Sequence, residues 1–143
     1  MKLKEDGMTC AYDKTSFEEY KAEILKKGGE TLYAVYVKVN DVKNIRGFYS
    51  LHTGDNCIIL AAARLKKVTD KLFRIKDDVF VLFVYTDEEL QRLEKIKILI
   101  PTLYIESGKS LLTVSVGISD KSCAADIEYL IKQAKEKAEN KEV

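Results

Sequence analysis

Apolar and polar positions along the chain switch repeatedly between helical and strand spacing. In "SFEEYKAEILKKGGE", Phe17, Tyr20 and Ile24 share one helical face, and Gly28-Gly29 ends the pattern. In "TLYAVYVKVN", Tyr33, Val35, Val37 and Val39 alternate against Leu32, Ala34 and Tyr36. Both faces are apolar, which predicts a central strand. "TGDNCIILAAARLKKV" predicts a helix with Ile58, Ala62, Leu65 and Val68 inward. "KLFRI" and "VFVLFVY" predict a hairpin, and Thr86 with Glu89 makes a capping-box pattern before the helix "LQRLEKIKIL". "SLLTVSVGIS" predicts another strand, and "ADIEYLIKQAKEKAE" a last helix burying Ile127, Leu130, Ile131 and Ala134. The order α, β, α, β-hairpin, α, β, α is an α+β plan with helices packed on a sheet. Residues 1–143 read as one domain, with 1–5 a linker or tail.

The hairpin turn departs from expectation. Lys76-Asp77-Asp78 lies between the two apolar runs without a glycine. A tight hairpin favours Asn-Gly or Asp-Gly, because its central residues take positive φ.

Composition narrows the function classes. Lys plus Arg total 24 against 23 Asp plus Glu, so no overall field marks a nucleic-acid or membrane binder. Cys10, Cys57 and Cys123 are odd in number, far apart and without C-x-x-C, which suggests neither a disulfide framework nor a zinc site. No apolar run reaches membrane-spanning length, and "MKLKEDGMTC" has no signal-peptide core, so the expectation is a cytoplasmic protein with reduced thiols. His52 is the single histidine and reads as a surface residue. Ser115 has no G-x-S-x-G elbow around it, and Walker and Rossmann phosphate loops are absent.

Six local strings, in order and at matching spacing, resemble the GGDEF domain, the catalytic domain of bacterial diguanylate cyclases. "DGMTCAYDKTSF" is similar to D-x-L-T-G-L-x-N-R-R-x-F, and "VKVNDVKNI" to L-D-x-D-x-F-K-x-I. "GFYSLHTGD" resembles the stretch ending in Gly-Asp, kept as Gly54-Asp55. "RIKDDVF" falls where R-x-G-G-D-E-F belongs, "TVSVGIS" resembles T-x-S-x-G-x-A, and "DIEYLIKQAK" resembles E-x-L-L-x-x-A-D. The resemblance implies a palm-like fold, a mostly antiparallel sheet flanked by helices, with the hairpin turn as one wall of the active site.

It also implies which positions carried chemistry. Active members hold magnesium between a carboxylate ending the first core strand and the third signature residue, and join two GTP into cyclic di-GMP. By position these are Lys38 and Asp78, with Lys76 and Asp77 in place of the glycines and Val79 in place of the second acid. No catalytic residue, metal or cofactor is therefore expected here. A positive charge about 4 Å from a divalent ion costs on the order of 8 kcal/mol at an effective dielectric of 20. The guanine-reading pair maps to Arg46 and Asp55, and Lys43 matches the family lysine, leaving a weak nucleotide-binding set. The inhibitory-site pattern R-x-x-D reads Lys67-Val68-Thr69-Asp70, without the planar arginine fork. "AENKEV" gives no clear match to the family's A-K-x-x-G-R-N block.

These substitutions in an intact core pattern suggest a catalytically inactive signalling module that meets a protein partner or an upstream sensory domain. Two alternatives stay open: a guanine-nucleotide receptor without turnover, and an active cyclase. A monomer is expected in isolation, with no nucleic-acid partner. A last expectation is that Lys38 replaces the metal by pairing with Asp78.

Overall fold

The computed structural model describes residues 2–99, 104–105 and 110–140. Its elements run α1 (Lys14–Lys27), β1 (Thr31–Val39), α2 (Val42–Phe48), α3 (Leu51–Leu65), β2 (Leu72–Lys76), β3 (Val79–Val84), α4 (Asp87–Leu99), β4 (Tyr104–Ile105), β5 (Ser110–Leu111), β6 (Val114–Ile118), β7 (Ser122–Cys123) and, after a 3-10 turn (Ala124–Asp126), α5 (Ile127–Asn140). The sheet order is β2-β3-β1-β6, with β7 also on β1 and every pairing antiparallel.

β1 is the central strand that its two apolar faces predict. Its odd and even positions feed two separate cores. Val35, Val37 and Val39 pack with Phe80, Leu82, Val84 and the inner faces of α3 and α4. Leu32, Ala34 and Tyr36 pack with Phe73, Val81, Phe83 and the faces of α1 and α5. On that second side Phe73, Phe83, Phe17 and Tyr20 form an aromatic cluster with ring centroids 5.3–6.0 Å apart. Ile58, Ala62, Leu65 and Val68 are all fully buried, and so are Ile127, Leu130 and Ala134, whereas Ile131 is half-buried.

Local chemistry sets the boundaries. Asp13 accepts from the Ser16 amide to start α1, and Gly28, at φ 54, ends it with its N–H on the Ile24 carbonyl. Thr86 and Glu89 close the capping box in both directions, at 3.1 and 3.2 Å. Lys4 donates its amide to the Ser16 hydroxyl at 2.7 Å, and Glu5 bridges Tyr12, so the first described residues lie against the sheet's α1 side.

Three elements go beyond the predicted order: α2, the β4–β5 pair and β7. α2 has seven residues, of which only Val42 and Ile45 are buried. That is too short a run for a helical period to stand out.

The hairpin between β2 and β3 resolves the missing glycine. Asp41 is the only non-glycine residue with positive φ among the described residues, so Asp77 and Asp78 both keep negative φ. The ladder register shifts between Arg74 and Lys76, and this bulge carries the chain around the turn without a left-handed residue.

Candidate functional site

Five charged residues, drawn from four parts of the chain, fasten the hairpin turn to the body of the domain. Arg46, in the last turn of α2, sits beside Asp55 of α3. Its Nε and Nη2 donate to Asp55 Oδ1 at 3.2 and 2.8 Å. The same guanidinium donates to both carboxylate oxygens of Asp77, through Nη1 to Oδ2 and through Nη2 to Oδ1 at 2.9 Å. Arg74 grips the turn from the other side. Its Nε and Nη2 donate to the Asp77 carbonyl at 3.1 and 2.9 Å, and Nη2 also reaches Asp77 Oδ1 at 3.1 Å. Arg74 Nη1 then donates to Asp6 Oδ2 at 2.9 Å, an oxygen that also accepts from the Thr9 amide and hydroxyl.

Gly54 makes this arrangement possible. A Cβ at that position would lie 2.3 Å from Arg46 Cγ, so the arginine stem rests on the bare backbone of α3. The charges respond accordingly. Arg46, followed by Arg74, holds the Asp77 carboxyl below its ordinary value. Burial works to raise Asp6, but Arg74 and Thr9 outweigh it and hold Asp6 low. Arg46 itself is raised, first by Asp77 and then, against burial, by Asp55.

Beside the turn lies a cavity of about 490 Å³, lined by Tyr36 and Lys38 of β1, Lys76, Asp78, Val79, Ser115 of β6, and Lys135, Ala138 and Glu139 of α5. β1 puts Lys38 here because it shares a face with Tyr36, and the ladder sets Val79 and Ser115 opposite it on either side. Val79 is buried, at 3% exposure, in the aromatic core side. Ser115 donates to Asn40 Oδ1 at 3.2 Å. Burial, with the charges of Glu139 and Asp78, pushes the Tyr36 phenol up.

The expected Lys38–Asp78 pair does not form. The two line one cavity, but among the described residues no ion pair or hydrogen bond joins their side chains. The register explains it: Lys38 stands opposite Val79, and Asp78 is one residue further into the turn, where its carbonyl accepts from the Val39 amide at 2.8 Å. Glu139 meets Lys135 one helical turn away, at 3.8 Å.

The remaining predicted positions scatter. Lys43 is exposed on α2 and lines neither cavity described here. Lys67 and Asp70 line a second cavity of about 390 Å³ with Lys66, Lys71, Arg92, Glu89 and Tyr85. Arg92 there donates to the Val68 carbonyl at 3.1 and 3.3 Å. His52 is exposed and within 3.2 Å of the Asn56 amide. Sequence reasoning did not single out Lys135 and Glu139, because only the packing of α5 across β6 and β1 brings them to the turn. That packing depends on Gly117, where a Cβ would fall 1.9 Å from the Ala134 carbonyl oxygen.

Among the described residues no helix is long and apolar enough to cross a membrane, and no three His, Cys, Asp or Glu side chains gather as a metal site.

Comparison with solved structures supports the architecture. The GGDEF domain of DgcB from Caulobacter crescentus, in complex with c-di-GMP, superposes with a TM-score of 0.79 at 18% identity, covering 96% of this chain and 86% of that one. The FimX GGDEF domain from Pseudomonas aeruginosa gives 0.77 at 15% identity, covering 94% and 91%. Diguanylate cyclase SiaD from Pseudomonas aeruginosa, in complex with its activator SiaC, gives 0.77 at 16% identity, covering 95% of this chain and 58% of that one. No curated protein matches in sequence. The family profile described as "Diguanylate cyclase, GGDEF domain" matches residues 3–142, and with the antiparallel sheet and its flanking helices this places the chain in the GGDEF family of cyclic di-GMP signalling.

Proposed function

We propose that this chain is a catalytically silent GGDEF domain that serves cyclic di-GMP-type signalling as an interaction module for a protein partner or an upstream sensory domain. The observation that carries this reading is Arg46 bridging Asp55 and Asp77. A guanine edge offers a carboxylate two adjacent N–H donors, and Arg46 already presents such a pair to Asp55. Asp77 adds a side chain and a charge at the turn, and that charge is consumed by the same arginine.

The donor set does not suit magnesium, which wants several hard oxygens in an octahedral shell. Asp78 shares its cavity with Lys38, Lys76 and Lys135, and the second carboxylate, Glu139, is met by Lys135. Val79, buried in the core, has no group to accept a proton from an attacking hydroxyl. Support for a protein partner comes from the relative SiaD, whose structure contains its activator SiaC.

The test is product formation from GTP with magnesium or manganese. No cyclic di-GMP above a heat-killed control is the expected result, and sustained turnover overturns the reading. The second cavity favours one alternative, a guanine-nucleotide receptor without turnover. There Lys66, Lys67, Lys71 and Arg92 gather around Asp70 and Glu89. Calorimetric titration with GTP and cyclic di-GMP separates the two readings.

A further inference from the structure

We propose that the corner between α2 and α3, together with the outer face of α3, docks an acidic amphipathic helix of a protein partner. The inference rests on reading the chain as an interaction module, and adds the surface and the chemistry of what it meets.

Apolar exposure is concentrated at this corner. Among the described residues five large apolar side chains are exposed, and three of them, Phe48, Leu51 and Leu60, lie between residues 48 and 60. Phe48 closes α2 at 83% exposure and Leu51 opens α3 at 72%, so neither serves the core. The buried side of α3 is a separate face, formed by Cys57, Ile58, Ala61, Ala62 and Leu65. Half-buried Ile59 and exposed Ala63 continue the outer side beside Leu60. From Leu51 to Ala63 the ridge runs about 18 Å, a little over three helical turns. Gly47, with open space where a Cβ would stand, and Ala63 are small positions that flank the large ones. A facing helix packs its own side chains into such gaps. Single surface leucines need no partner, but a ridge with an aromatic at one end has the anatomy of a docking site.

Charge selects the partner. Residues 42–69 hold one acid, Asp55, against Lys43, Arg46, Arg64, Lys66 and Lys67. Asp55 is already neutralised by Arg46. Lys66 lies over the Tyr12 ring, and Lys67 lines the second cavity. The side chains of Lys43 and Arg64, one on each helix of the corner, have no ion pair or hydrogen bond among the described residues. A helix with glutamate or aspartate beside an apolar seam complements both. Two free cations are too few for an anionic bilayer, whose recognition takes clusters of about four to eight. They are also too few for a nucleic acid, which is held through many phosphates at once.

The experiment is selection on the full 143-residue chain from a displayed library of helical peptides about five turns long, with face positions varied among Leu, Ala, Glu and Lys. Selected peptides are expected to carry an apolar seam and net negative charge, and to weaken as salt rises. Phe48→Ser is expected to cost their affinity about tenfold or more, and Leu60→Ser about fivefold. Arg64→Glu is expected to weaken them and to favour peptides with lysine in place of glutamate. Tyr129→Ser, at an exposed position of α5 on the other side of the sheet, leaves binding unchanged. No selected binder, or selected peptides that are basic or uncharged, overturns the proposal. So does binding that survives Phe48→Ser and Leu60→Ser but is lost in Tyr129→Ser. Sedimentation of the chain with phosphatidylglycerol vesicles that Phe48→Ser abolishes assigns the surface to a membrane and also overturns it. None of these readouts involves cyclic di-GMP formation, so failure of the docking surface and failure of the silent reading are told apart.

Discussion

The side-chain stem of Arg46 occupies the space that a Cβ on Gly54 would fill, 2.3 Å from Cγ. This contact sets the direction of the guanidinium and so decides whether Asp55 and Asp77 are joined. Gly54→Ala is expected to push the arginine aside and destabilise the domain by about 1–3 kcal/mol, the usual cost of overpacking. Arg46→Ala removes the bridge itself. Its ion pairs are half exposed, so its cost is expected to be smaller, about 1–2 kcal/mol, above a lone surface pair because two carboxylates lose one partner. Urea denaturation of both variants checks the order.

Acid should loosen the turn. Asp77 is depressed by Arg46 and then Arg74, and Asp6 by Arg74 and Thr9 against burial. A depressed carboxyl contributes stability that is complete above its unfolded value, about 3.9, and is lost as pH falls through the folded value. Stability of the parent protein is therefore expected to decline below about pH 4. In Asp77→Asn that decline should be shallower, with lower stability at neutral pH. Equal acid slopes in the two proteins count against the assignment.

Recovery of cyclase activity should need several changes at once. Lys38→Asp, Val79→Glu, Lys76→Gly and Asp77→Gly supply the carboxylate, the second acid and the open turn that the family pattern implies, and Arg46→Asn releases Asp55. No single change among them is expected to yield cyclic di-GMP, because each function is required simultaneously. Activity in any one single variant, measured with GTP and magnesium, contradicts this.

Close packing at Gly117 carries a stability prediction remote from the turn. Gly117→Ala places a methyl 1.9 Å from the Ala134 carbonyl oxygen and 2.4 Å from the Ala138 amide nitrogen, both backbone. α5 must lift from β6, at an expected cost of about 3 kcal/mol or more. A thermal midpoint within a degree of the parent refutes it.

In solution the domain alone is expected to be monomeric at micromolar concentration, because the family resemblance implies a pairing that only bound substrate bridges. Light scattering giving twice the monomer mass would instead point to a structural pairing role.

Much of the fold was legible because it rests on periodicity. Two apolar faces made β1 central, and Thr86 with Glu89 marked the start of α4. The site was less legible because its bonds ignore periodicity. Arg46 reaches Asp77 across 31 positions, and Arg74 reaches Asp6 across 68. The glycine-free "RIKDDVF" marked the turn as unusual, but not that Arg46 and Arg74 would hold it. The Lys38–Asp78 expectation failed for a related reason. Proximity to one cavity follows from the family spacing, whereas a bond depends on one residue of register.

The span of those links has a consequence for the order in which the molecule assembles. Closing a loop of 68 or 31 residues for a partly exposed ion pair returns little while the chain is still open. Such contacts belong after the folding barrier, once β1, β3 and the helices have met. They act chiefly on the rate of escape from the native state and leave the rate of arrival nearly unchanged. The charged turn is thus a latch, closed last, that lengthens the lifetime of a scaffold already built.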